Sequence, residues 1–231
     1  ERLNRDDSDC NGLTDDLVEA DATIRINGHE DGSEFGHSLA ADRDMDGDGV
    51  TDLLVGLPGS NAIAIFSGDA EEVSSELPEA IAFISADETA GRFGHAVAFT
   101  DDIDGDGLTD VAVAAPLETS DAGGLGRVTF LLDVLGEAPI SAETTLSVHA
   151  VPGERLGSVV TSLGSHPELG VHIAALGTSK TFGTQAVVVI NAQDASGRLA
   201  ASMTAEIGGA STEDSFGSAM VGTTDINGDG L

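Results

Sequence analysis

Phe35-Gly36 is followed, nine residues after the Phe, by Asp44-Met45-Asp46-Gly47-Asp48-Gly49-Val50-Thr51-Asp52. The same coupling returns at Phe93-Gly94 with Asp102-Ile103-Asp104-Gly105-Asp106-Gly107-Leu108-Thr109-Asp110. It returns again at Phe216-Gly217 with Asp225-Ile226-Asn227-Gly228-Asp229-Gly230-Leu231, where the sequence stops. A pair of motifs held at a constant offset means one structural unit copied along the chain.

The loop has a chemistry of its own. Acids at positions 1, 3 and 5 bring oxygen ligands around one point as the backbone curls. The glycine at position 6 permits the sharp turn, and position 7 offers its carbonyl. Position 9 closes the shell in the first two copies. The expected ligands are Asp44, Asp46, Asp48, Val50 and Asp52; then Asp102, Asp104, Asp106, Leu108 and Asp110; then Asp225, Asn227, Asp229 and Leu231. An all-oxygen set in a flexible loop suits calcium better than magnesium. Zinc fits poorly because no Cys or His holds a ligand position.

An EF-hand starts the same way but needs a bidentate Glu at position 12 and flanking helices. Position 12 is Val55 or Val113 here. Leu53-Leu54-Val55-Gly56 and Val111-Ala112-Val113-Ala114 follow the loops as short apolar runs, the pattern of buried strands. The loops therefore join strands. A set of solvated acidic turns without metal is disfavoured by the repetition in one register.

Gly56-Leu57-Pro58 and Ala114-Ala115-Pro116 close the pattern after each loop. With the Phe-Gly pair and the acid loop, the unit resembles the FG-GAP repeat of integrin α-subunits and related bacterial surface proteins. The resemblance covers roughly residues 22–231. It implies an all-β fold: a β-propeller of four-stranded antiparallel blades, present here as a partial propeller. Blades are expected at about 35–92, 93–155 and 156–215, with 216–231 incomplete. By the same resemblance Thr23-Ile24-Arg25-Ile26, within 22–27, forms an outer closing strand.

The third unit is worn. Leu156-Gly157 replaces Phe-Gly, and Ser165, Pro167, Leu169, Gly170 and Ile173 stand at the loop positions, with Gly177-Thr178-Ser179 in the closing slot. This predicts a blade without metal, and His166, Glu168 and His172 read as loop and strand-edge residues. Third strands are expected at 62–66, 127–132 and 186–190, and outer strands at 80–84, 145–149 and 199–203.

The formal net charge is −32, with one Lys among nine basic residues. That excludes nucleic acid, which needs clustered cations, and argues against anionic membrane surfaces. Metal loops account for part of the acidity, and a salt-rich habitat is a further source. Hydrophobic residues at 40% oppose disorder. Cys10 is alone, so no internal disulfide forms. Low-affinity calcium sites are typical of extracellular modules, which points to the outside of the cell or its surface. No signal peptide and no membrane-length apolar run is present. The break inside the last loop reads as a fragment of a longer protein.

Residues 1–20 precede the propeller expected over 21–231. Asp7-Ser8-Asp9-Cys10-Asn11-Gly12-Leu13-Thr14-Asp15 fits the loop pattern out of register and looks like Asp/Cys-rich metal-binding repeats of secreted bacterial proteins. A metal loop and a plain acidic linker both remain open there.

No nucleophile-and-base pattern is present, and the clustered acids are committed to loops, so the chain does not read as an enzyme. His37 and His95 both follow Phe-Gly and read as a packed repeat position. The leading function is a module for protein binding or cell adhesion, with calcium structural. In the family, partners bind the face opposite the calcium loops, which singles out residues 85–92 and 117–126. The alternatives are a propeller within a secreted phospholipase- or polysaccharide lyase-like enzyme, and a structural spacer. The absence of Tyr and Trp weakens a sugar platform.

Overall fold

The structure is a computed structural model. It describes residues 26, 28, 30–68, 80–87, 90–119, 125–132, 134–135, 145–149, 154–166, 171–180, 183–193, 199–208 and 219–220. Every regular element among them is a strand, and the strands form three antiparallel four-stranded meanders, the blades of a partial β-propeller. The first contains β1 (Ser38–Ala40), β2 (Leu53–Leu57), β3 (Ala62–Phe66) and β4 (Ala82–Ser85) in that order. The second contains β5 (Ala96–Phe99), β6 (Val111–Thr119), β7 (Leu125–Leu131) and β8 (Thr145–His149). The third contains β9 (Glu154–His166), β10 (Val171–Lys180), β11 (Gly183–Gln193) and β12 (Leu199–Gly208). A single parallel pair, Leu125 with Arg155, joins the second sheet to the third.

The middle strands explain their own composition. β3 is buried along its whole length, and β2 everywhere but at Leu53. Both faces of each strand are dry, so the sequence is continuously apolar rather than alternating. Leu54, Ile63 and Ile65 point to one side of the first sheet, where they meet Phe93, Val97, Phe99, Val111 and Val113 of the second. Val55, Ala62, Ala64 and Phe66 form the opposite face, with Phe35 set edge-on to Phe66 at 6.1 Å. Ala98, Ala112, Val128 and Phe130 of the second sheet pack in turn on Leu156 and Val160 of the third. Each fully buried side chain of this size contributes roughly 1.5–3 kcal/mol, so the cores between blades dominate cohesion. The outer strand β4 alternates between half-buried and exposed positions because one of its faces meets water.

The third unit departs from the expectation of a worn loop. β9 runs for 13 residues and β10 for 10, and Val171 pairs with His166. Ser165 therefore lies in β9 and Ile173 in β10, opposite Gly164. Neither residue carries a carboxylate, and the ladder thus takes up two positions that belong to the acid loop in the other units. Gly177-Thr178-Ser179 lies within β10, where a register shift falls between Leu176 and Thr178. Ala114-Ala115-Pro116 likewise lies inside β6, with the shift between Ala115 and Thr119. Pro lacks the N–H a ladder needs and is accommodated at such irregularities. The expected closing strand at 23–26 lies outside the described residues except for Ile26, which packs against the same core cluster as Phe35. Residues 1–20 and the third acid loop also lie outside them.

Candidate metal centre

The loops joining β1 to β2 and β5 to β6 lie at one end of the sheets. In the first, carboxylate oxygens of Asp44, Asp46 and Asp48 come within 4.8 Å of one another. Asp102, Asp104 and Asp106 do the same in the second. The backbone holds them there. Asp44 accepts from the N–H groups of Gly47 at 2.7 Å and Gly49 at 2.9 Å, and Asp48 accepts from Val50 at 2.6 Å. Asp102 accepts from Gly105 at 2.6 Å and Gly107 at 2.8 Å, and Asp106 from Leu108 at 2.8 Å. The turn needs left-handed backbone: Gly47 and Gly49 have φ of 82° and 91°.

Position 9 plays a different structural part from positions 1, 3 and 5. Asp52 and Asp110 are 0% exposed. Asp52 accepts from Met45 N–H at 2.6 Å and Gly68 N–H at 3.1 Å. Asp110 accepts from Ile103 N–H at 2.7 Å. Val50 and Leu108 stand at the surface, 41% and 45% exposed. Asp225, Asn227, Asp229 and Leu231 lie outside the described residues.

Electrostatics favour a cation in each cluster. Like charges about 4 Å apart repel by roughly 1 kcal/mol in water and about 4 kcal/mol near a protein surface. Partial desolvation, followed by the charges of Asp52, Asp48 and Asp44, pushes the Asp46 carboxyl above its ordinary value, against the Asp48 N–H that lowers it. Oxygen donors alone, on a loop that already curls, fit a hard divalent ion.

Three further arrangements escaped the sequence reading. Arg43, just before the first loop, donates to Asp101, just before the second, at 3.1 Å. Met45 packs against the core between the first two sheets, and Ile103 is buried in the core between the second and third. The third arrangement lies at the opposite end of the sheets. There Asn61 Oδ1 accepts from the N–H groups of Arg92 at 2.9 Å and Phe93 at 3.0 Å. Arg92 makes a two-pronged pair with Glu34, and the rings of His37 and His95 lie 4.7 Å apart. Apolar residues recurring at position 2 were a legible signal for Met45 and Ile103. The others join residues 31 to 58 apart in sequence, with no pattern to announce them.

Comparison with known proteins agrees with this geometry. The FG-GAP repeat profile matches residues 35–74 and 93–131, and does not reach the Asp7–Asp15 stretch. Integrin alpha-4 of Xenopus laevis is 42% identical over 97 residues, 38% of this chain and 9% of that protein. Human integrin alpha-IIb is 35% identical over 107 residues, 40% and 10%. Integrin alpha-V of Gallus gallus is 38% identical over 119 residues, 45% and 11%. The chain thus spans about a tenth of the length of these relatives. It carries FG-GAP repeats, and the repeats at 35–74 and 93–131 supply the acid loops of its first two propeller blades.

Proposed function

We propose that this chain is part of an extracellular β-propeller module that binds another protein or a surface ligand, with calcium as a structural element of its blades. The observation that carries the reading is the repetition of one three-carboxylate cluster at the same place in consecutive blades. Asp44, Asp46, Asp48, the Val50 carbonyl and Asp52 form the first site. Asp102, Asp104, Asp106, the Leu108 carbonyl and Asp110 form the second, and Asp225, Asn227, Asp229 and Leu231 contribute to a third. Each ion would neutralise a cluster and fix the connection between the first two strands of its blade.

Partner binding belongs at the other end. A cavity of about 370 Å³ runs along the seam between the first two blades, from Leu131 and Thr145 near the acid-loop end to Ser85, Asp87, Glu118 and Arg127 toward the other. Ser85, Asp87 and Ala90 of the first segment that the resemblance singled out, and Glu118 of the second, lie on its wall. Burial pushes the Glu118 carboxyl up, and Arg127 and His149 pull it down in part. Arg127 pairs with it at 3.0 Å. Among the described residues no helix is long and apolar enough to cross a membrane.

Calorimetric titration tests the metal half of this reading. Calcium is expected to bind at each intact loop, and Asp46→Asn with Asp104→Asn to abolish binding at the first two. Unchanged stoichiometry in that double variant would sink the assignment.

A further inference from the structure

Met45 sits between Asp44 and Asp46, and Ile103 between Asp102 and Asp104. Each has its backbone N–H bound to the buried acid at position 9 of its own loop, at 2.6 and 2.7 Å. Their side chains leave the loop in the other direction. Met45 packs against the cluster shared by Leu54 and Ile63 of the first blade and Phe93, Val97 and Phe99 of the second. Ile103, 6% exposed, is part of the cluster shared by Ala112 and Phe130 of the second blade and Leu156 and Val160 of the third. One short peptide thus presents carboxylates outward and an apolar plug inward.

We propose that Met45 and Ile103 are positioning residues that couple cation occupancy of each loop to the docking of one blade on the next. The proposal rests on the calcium reading above. Without a cation, repulsion among three carboxylates favours an open loop, and opening withdraws the plug. A bound cation closes the loop and seats the plug in the core between blades. Linkage makes the effect reciprocal: if occupancy favours docking, docking raises affinity by the same factor. The sequence carries the same association. Position 2 is apolar again in Asp225-Ile226-Asn227, but polar as His166 in the worn copy and as Ser8 in the out-of-register stretch.

The test is hydrogen exchange of the whole chain in calcium and in chelator, with calorimetric titration alongside. The variants are Met45→Ser and Ile103→Ser, which keep every expected ligand. In the unsubstituted chain calcium should slow exchange both in the loops and in the strands across each blade interface. Met45→Ser should weaken calcium at the first loop on the order of tenfold. It should also reduce the calcium-dependent protection of β5 and β6 to the part that their own loop supplies, while protection of β9 still responds in full. Ile103→Ser should do the converse. Met45→Leu should restore the coupling. Ile103→Val, one methylene smaller, should give a graded loss even where the Ser variant does not fold. Wild-type affinity together with wild-type interface protection in the Ser or Val variants would overturn the coupling alone. No calcium binding by the unsubstituted chain would overturn the calcium reading, and the coupling with it.

Discussion

At Asp106 two demands meet: its carboxylate belongs to the second acid cluster, and it accepts the Leu108 N–H at 2.8 Å. Asp106→Ala should lower calcium affinity at that loop at least tenfold, on the order of 1.4 kcal/mol or more. Glu168→Ala, off the ligand positions of the worn copy, should leave it unchanged. Equal losses in a pair of calorimetric titrations would contradict the ligand assignment. His95 makes a second prediction at this scale. Burial, then the charges of His37 and Arg92, lower its pKa below 6.5, while Glu34 opposes them. A group whose folded pKa is depressed binds more protons when unfolded. Its contribution to stability is therefore full above pH 6.5 and declines as pH falls through the folded value. Glu34, held below 4.5 chiefly by its hydrogen bond to Arg92, loses its contribution only in more acid solution. Urea unfolding at pH 8, 6 and 5 should show stability falling with acid, and His95→Phe should flatten the fall between pH 7 and 5.

The element that ties blade to blade is the Phe-Gly corner. Gly94 has φ of 91°, and a Cβ there would lie 2.3 Å from the Ala62 carbonyl oxygen of the preceding blade. Gly47 has φ of 82° but open space around its Cβ position. Left-handed backbone alone costs an L-residue about 1–2 kcal/mol. Gly47→Ala, measured in chelator, should cost about that much. Gly94→Ala should cost at least twice as much, because backbone must also move. Similar denaturation midpoints for the two variants would mean the corner is loosely packed. The same corner recurs at Gly157, beside Ala114 and the Arg127 carbonyl, even though Leu156 has replaced the Phe. The worn unit has therefore kept its docking element, while its first two strands run longer than those of the other units.

For the whole molecule, the acid loops and the cores between blades act on one stability. A ligand that binds only the folded state adds about 2.7 kcal/mol per independent site at a hundredfold excess over Kd. Thermal unfolding should therefore rise in calcium relative to chelator, with magnesium giving a smaller shift because it demands stricter geometry. A cooperative transition at one temperature in all three solutions would make the clusters solvated turns. The Arg43–Asp101 bridge between neighbouring loops is partly exposed, so it contributes at most about 1 kcal/mol and less in high salt.

The sequence by itself determined the repeat, the strand runs of the first two blades and the two acid clusters. Those depend on local spacing: Asp44, Asp46 and Asp48 converge because five residues of chain curl around Gly47. β3 was legible over 62–66 because both its faces are apolar. The tertiary structure alone decided what lies across the sheets. It sent Asp52 and Asp110 inward to backbone N–H groups, set Asn61 beneath the next Phe-Gly corner, and brought His37 against His95. It also carried β9 to His166 and β10 back from Val171. The physical reason is range. Turn chemistry acts over a few residues, whereas blade docking joins residues dozens of positions apart, chosen by shape and burial after the sheets have formed.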